Sequence, residues 1–534
     1  MRALQRAGLG GLLLSVGFLL TGCPPTLDDS LSPPILHEPV YRCAEVVAFS
    51  GADRDATLVV YVNGTEVLQQ PLWMGWGSIH LSSPLGAGDV VSAAQIVGSK
   101  ISHPTREPVT AVEVPTDIAS GHKLPDPEVT PPLYECQRVV RVREVVHGAT
   151  VNLRDSDANT YKGMTPYTVI RLGTPELHVG QDWEAMQTLC IDQPYTSDWS
   201  AKETVQAKPA SLDPPSLSEP LVVGNDACQV NELVPGALVK IYADDGHGPV
   251  EVGGGIALEA STIFKINPPF QSGSTYHATQ ALCDLTSPGG TGVTPLANPP
   301  APRIEPPLCN GEMYITVCDT VVMSSVQAFL DGVQVAQGAG NGGCVRLALG
   351  NSTTCATGQQ ATAVQSVAGN TGPTSAPVTV TADAAPPYDP AFWNADADVR
   401  WDNNCYNYGC NLRTDTFAQP GEAHGVYPAL QCASVANAAQ ADGLVTAVEQ
   451  SCTGCTHKVA LVVDPGTDYH WYRLDDNGRW SHKPGHTAAT NVDASDNPIT
   501  NPETADRTYP GSFPLDYTDF CGYFCVDRDV VEIQ

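Results

Sequence analysis

The chain predicts a mainly β protein, four β-sandwich repeats followed by an α+β domain, and three observations lead there. Glycine (48) and proline (45) are abundant while charged residues make up only 16% of the 534, a balance that suits short strands and turns better than helices. One pattern recurs four times at a spacing near ninety residues. Beyond Pro386 that pattern stops and the composition changes.

The N-terminus speaks to location. Arg2 and Arg6 precede an apolar run from Leu9 to Leu20, too short to span a bilayer and laid out as a signal peptide. It closes on Leu20-Thr21-Gly22-Cys23, which resembles the bacterial lipobox. The resemblance implies cleavage after residue 22, lipid on Cys23 and a membrane-anchored, extracytoplasmic protein. With Pro24 following the cysteine, an outer-membrane or cell-surface position is expected. Residues 23–33 read as a tether. A net charge of -31, spread along the chain, argues against nucleic acid and anionic lipid as partners.

Residues 34–384 carry the repeat. Each unit opens on a proline-rich joint: "SPPILHEPV", "PDPEVTPPL", "LDPPSLSEPL" and "NPPAPRIEPPL". Each closes on a small-residue strand around a glutamine: "VVSAAQIVG", "DWEAMQTLC", "TYHATQALC" and "QATAVQSVA". Those glutamines, Gln95, Gln187, Gln280 and Gln365, are 92, 93 and 85 residues apart. Alternating apolar segments such as "ATLVVYVNGT" and "ALVKIYADDG" fall between. Four sandwiches of an immunoglobulin-like kind follow, at 34–125, 126–213, 214–299 and 300–384. Trp183 is the one tryptophan between Cys136 and Cys190 and lies beside the second cysteine, so antibody-type domains are not expected. A stalk or a set of adhesive modules is the implied role.

Within the repeats, Cys136 and Cys190 are 54 apart and Cys228 and Cys283 are 55 apart. Each spacing suits a bridge across the two sheets of one sandwich in an oxidising compartment. Cys309, Cys318, Cys344 and Cys355 suffice for two bridges of open connectivity. The first unit has only Cys43, with Gly98 where a partner would stand, which leaves an interdomain bridge open to it.

Residues 385–534 form the last unit. "CASVANAAQADGLVTAVEQ" from Cys432 reads as a packed helix that Asp442-Gly443 ends or interrupts. Strands follow at "HKVALVVDP", "DYHWYRLD" and "RWSHKPG", and helix before antiparallel strands indicates an α+β domain. Its cysteines, Cys405, Cys410, Cys432, Cys452, Cys455, Cys521 and Cys525, are odd in number, so bridging leaves one thiol over. Cys405 is the expected free one. It follows Asp402, Asn403 and Asn404, any of which can cap a helix starting there, and a helix N-terminus favours the thiolate. The alternative is a Cys405–Cys410 bridge. Cys452, Cys455, Cys521 and Cys525 are read as disulfide cysteines in preference to a zinc site, and no cofactor is implied.

His470 and His482 flank the turn Asp476-Asn477-Gly478. A two-residue turn sends the histidines to opposite faces, whereas a three-residue turn with left-handed Gly478 sets Tyr472 opposite His482 and brings His470 onto the same face. The twelve-residue spacing, the Asn477-Gly478 between and Trp480 two before the second histidine resemble the hairpin of NlpC-type cell-wall peptidases, of the papain-like superfamily. That resemblance implies a papain-like C-terminal domain with Cys405 as nucleophile, His470 as base and His482 as orienter, acting on amide bonds of cell-wall peptide. Two variants stay open: His457 as base with His470 as its partner, or His482 as base oriented by Asn491 or Asp493. Two functions therefore compete, a surface-anchored cysteine amidase or peptidase and a non-catalytic adhesin or glycan-binding lipoprotein.

Overall fold

Each repeat in the computed structural model is a pair of mainly antiparallel sheets closed over its own core. Described are residues 25–114, 121, 123–190, 194–350, 353–381, 385–395, 397–447, 452, 456–510, 514–528 and 530–534. Cys23, the lipobox and Cys455 lie outside them.

The second repeat serves as the type. Glu128–Val129, Val139–Arg143 and Ile170–Gly173 form one sheet, and Thr160–Met164, Thr150–Asp155, Asp182–Leu189 and Tyr195–Thr196 form the other, in that order. The closing strand Asp182–Leu189 alternates half-buried and buried residues without a break, the period of a strand with one face in a core. Trp183, Ala185 and Leu189 join Val140, Val142, Val151 and Leu153 in that core. The other three repeats repeat this three-plus-several arrangement. Thr26–Leu27, in the segment read as a tether, pairs with Lys100–Ile101 of the first sandwich.

The recurring glutamines are fully buried amide staples. Gln187 Oε1 accepts from Val146 N–H at 2.7 Å, and its Nε2 donates to the carbonyls of Pro125 and Glu144 at 2.8 and 3.0 Å. Gln280 does the same with Val234 N–H and the Asp213 and Glu232 carbonyls. Gln365 uses Val321 N–H and the Pro300 and Asp319 carbonyls, and Gln95 uses Asp53 N–H and the Ser32 carbonyl. One side chain thus satisfies backbone groups from both the proline-rich joint and a turn, groups that burial would otherwise leave without water.

Two disulfides tie consecutive sandwiches together instead of bridging the sheets of one. Cys43 is bonded to Cys190 and Cys136 to Cys283, both at a sequence separation of 147, which corrects the expected Cys136–Cys190 and Cys228–Cys283 pairs. The reason is position. Cys43, Cys136, Cys190 and Cys283 all sit at positive φ, the first two in the turn before the second strand of their sandwich and the others just past the closing strand, where consecutive sandwiches meet. Cys228 is instead a buried free thiol. In the fourth repeat Cys318 is bonded to Cys344, Cys309 is also oxidised, and Cys355 is buried in the core.

The third joint repeats the geometry without sulfur: a Cβ added to Gly224 would stand 2.7 Å from Ala368 Cβ. Val222, Val321 and Val367 cluster there, and Asn225 Nδ2 donates to the Val322 carbonyl at 2.7 Å. The fourth sandwich then returns to the first. Ala339 N–H donates to the Ala52 carbonyl at 2.8 Å, and Arg54 reaches the Met323 carbonyl at 3.1 Å and Asp226 at 2.9 Å. The repeats therefore close on one another instead of extending as a stalk.

The last domain is α+β. Its antiparallel sheet runs Val445–Thr446, Asp519–Asp527, Thr456–Asp464, Asp468–Leu474, Trp480–His482. Of its helices, α1 is Pro390–Trp393, α2 Ala397–Asp402, α3 Cys405–Cys410 and α4 Cys432–Ala441. Asp442 caps α4 and ends it. Helices α3 and α4 cover the face bearing Val459, Leu461, Val463, Tyr469 and Trp471. Ile499 and Tyr517 cover the face bearing Ala460, Val462 and Tyr472. The domain rests on the repeats: Arg528 meets Glu305 at 3.3 Å, and Gln534 Nε2 donates to Thr168 Oγ1 at 3.3 Å.

Candidate functional site

Helix α3 begins at Cys405 because Asn404 caps it. The Asn404 side chain accepts from the Tyr406 and Asn407 N–H groups, and Asn407 reaches back to the Asn404 N–H, a reciprocal box that leaves few orphan donors. Cys405 and Cys410 are both free and buried, so the alternative bridge between them is not formed. The domain's other described cysteines pair as Cys432–Cys521 and Cys452–Cys525, which consumes the thiolates a zinc site would need.

The hairpin takes the three-residue form. Asp475 N–H donates to the Arg479 carbonyl and Gly478 N–H to the Asp475 carbonyl, both at 2.9 Å, and Gly478 has φ +73°. Tyr472 pairs with His482, and His470 Nε2 lies 2.8 Å from His482 Nδ1. The rings meet edge to face at 4.9 Å. His482 Nε2 lies 2.9 Å from the Val492 carbonyl, which only accepts, so Nε2 carries the proton and Nδ1 of the neutral ring is bare. His470 Nε2–H is then the donor to it, and His470 Nδ1 is unprotonated.

The same alternation separates the histidine pair from the helix face. His470 and Tyr472 point to the side covered by Tyr517, while their neighbours Tyr469 and Trp471 share a core with Cys405. The sulfur meets the strand at its backbone, facing the Trp471 N–H. Among the described residues no histidine nitrogen is hydrogen-bonded to it.

Electrostatics hold all three groups neutral. Burial, with the Asp468 charge adding to it, pushes the Cys405 thiol up to about 12. Burial drives His470 well below the ordinary imidazole value and His482 down to about 4. The arrangement can relay a proton between imidazoles, but it holds no thiolate–imidazolium pair.

The rival residues have other partners. His457 is on the helix face and its Nε2 sits 2.7 Å from the Gly409 carbonyl, beyond the middle of α3; burial lowers it to about 3. His482 is oriented by the Val492 backbone, not by the side chains of Asn491 or Asp493. Asp493 instead accepts from the Ser495, Asn497 and Asp506 N–H groups of its own loop.

Three polar features escaped the sequence. Lys483 Nζ donates to the Arg400, Asn403 and Gly485 carbonyls and locks the α2–α3 junction to the hairpin end. Arg473 pairs with Asp475 at 2.9 Å, both buried. His424 Nδ1 lies 2.9 Å from Asp442 Oδ1. Each looked like an ordinary polar residue beside a turn. The one available signal was the alternation of "HWYRLD", which puts Arg473 on the same face as Trp471.

No family model matches the chain. Insoluble matrix shell protein 1 of Ruditapes philippinarum is 46% identical over 140 residues, 26% of this chain and 88% of that protein. Among solved structures, the BSP domain of a biofilm associated protein aligns with 69% of this chain and 99% of its own at 10% identity and TM-score 0.18. The N-terminal eight Ig domains of Down Syndrome Cell Adhesion Molecule align with 66% of this chain and 57% of theirs at 10% identity and TM-score 0.20. The sandwiches rest on the strand pairing itself, not on these distant likenesses.

Proposed function

The chain belongs to the family of insoluble matrix shell protein 1, and from that premise we propose that it is a non-catalytic extracytoplasmic binding protein. Four sandwiches form a disulfide-tied platform, and the α+β domain set on it engages an insoluble polymer such as a surface glycan or matrix. The lipobox resemblance fits attachment through Cys23. The observation that carries the reading is the state of Cys405, buried and held as a thiol, in a domain tied by the Cys432–Cys521 and Cys452–Cys525 bridges.

A second reading has one specific observation in its favour. His470 Nε2 lies 2.8 Å from His482 Nδ1, a juxtaposition that fits the base and orienter roles the NlpC-type resemblance implies, and His470 Nδ1 is left bare. A cysteine hydrolase acting on cell-wall peptide would use that nitrogen once the thiol reached it.

One experiment separates the two. The full chain and its Cys405→Ala variant are compared for sedimentation with chitin and with peptidoglycan, and for release of new amino groups from peptidoglycan. Equal sedimentation of both chains and no release is the expected result. Release by the parent chain that the variant lacks would overturn the binding reading.

A further inference from the structure

Where the last domain meets the first and fourth sandwiches, a cavity of about 290 Å³ opens, with Glu38, Tyr314, Arg346, His424, Asp442 and Glu532 in its wall. Glu38, His424 and Glu532 each offer a ligand atom there, and the three atoms lie within 4.8 Å of one another. They come from the proline-rich joint of the first repeat, a short 3-10 turn at Glu422–His424 and the chain's last residues, so only the tertiary fold unites them.

The histidine is presented as metal-bound imidazoles are. Its Nδ1 is tied to Asp442 Oδ1, and Asp442 is itself fixed through Oδ2 by Tyr406 OH at 2.8 Å and Gly421 N–H at 2.6 Å. A carboxylate on one ring nitrogen sets the tautomer and aims the other nitrogen, the arrangement that supports histidine ligands in metal sites. The Asp442 carbonyl also accepts from Glu532 N–H at 2.9 Å, so one residue positions two of the three ligands. Its side chain is completely buried. Among the described residues, none donates a hydrogen bond to either the Glu38 or the Glu532 carboxylate, although both face the cavity.

We propose that Glu38, His424 and Glu532 form a binding site for a divalent first-row transition ion of the zinc type, with Asp442 as its positioning residue. One imidazole and two carboxylates suit zinc or its neighbours, while calcium asks for six to eight oxygens and soft ions for sulfur. Tetrahedral zinc at ordinary bond lengths sets ligand atoms about 3.3 Å apart, a spacing to which the exposed Glu38 arm can adjust. A fourth position opens to the cavity, where water completes the shell. The ion clamps the last domain to the first sandwich.

The test uses the full chain, dialysed against a chelator and titrated with zinc chloride by calorimetry, with metal content read by mass spectrometry. One equivalent should bind and raise the melting temperature. His424→Ala and Glu532→Gln should each lose the tight equivalent. Glu38→Gln, at an exposed position where folding is not at stake, should weaken binding at least tenfold with an unchanged circular dichroism spectrum. No tight zinc binding by the parent chain, binding untouched by Glu38→Gln, or calcium displacing zinc at equal concentration would overturn the proposal.

Discussion

The reactivity of Cys405 divides a binding protein from a hydrolase, and its size can be worked out. The sulfur sits in a core with Tyr406, Val459 and Trp471, only 6% exposed, and burial lifts it from 9.0 to about 12. At neutral pH that leaves about a thousandfold less thiolate than an ordinary thiol holds. The remaining thiolate is intrinsically more nucleophilic, by about twentyfold at a Brønsted slope near 0.45. The net expectation is alkylation about fiftyfold slower than for an exposed cysteine, before the loss of access is counted. The assay is iodoacetamide labelling at pH 7.4 followed by peptide mapping, in native buffer and in urea. Cys228, a buried sandwich thiol also raised to about 12, is the internal reference. Cys405 should label as slowly as Cys228 in native buffer, and both should label fast in urea. Native labelling of Cys405 as fast as in urea, with a rate that levels off below pH 7, would refute the argument and favour the thiolate chemistry.

Three further outcomes are expected of the fold. Gln187→Leu leaves Val146 N–H and two carbonyls buried without partners, so chemical denaturation should register a loss of about 2–4 kcal/mol; an unchanged midpoint would show that the staple is dispensable. Gly224→Cys with Ala368→Cys places two Cβ atoms at the third joint close enough to bridge after about 1 Å of relaxation. Non-reducing peptide mapping should find the new disulfide, and two alkylatable thiols in its place would contradict the shared geometry. His482 has a folded pKa of about 4 against 6.5, so its neutral form is favoured by folding. Its contribution, about 3 kcal/mol, is complete above pH 6.5 and is lost as pH falls toward 4. Relative to His482→Gln, the parent chain should lose that much stability between pH 7 and pH 4, and a constant difference measured by urea titration would speak against it.

Much of the site was legible because its signals are local. The turn residues Asp476-Asn477-Gly478 narrowed the hairpin to two registers, and the Asp475–Arg479 closure in the structure selects the one that puts His470 and His482 on one face. The cap at Asn404 and the helix start at Cys405 were readable for the same reason, since capping involves residues three apart. The protonation state was not readable. It depends on what covers the residues, and Tyr517, which packs on His470, arrives from 47 positions further along the chain.

The sequence by itself determined the number of sandwiches, the recurrence of a glutamine in each closing strand, the α+β character of the last domain and the hairpin's two histidines. Each is written in a short-range period or a recurring motif. Tertiary structure alone decided which cysteines pair, because a separation of 54 fits a bridge within one sandwich as well as a place at a joint between two. It also decided that the repeats close on themselves, that Cys405 is sealed as a thiol, and that Glu38, His424 and Glu532 converge. These depend on surfaces meeting across hundreds of residues, and spacing along the chain does not encode which surfaces those are.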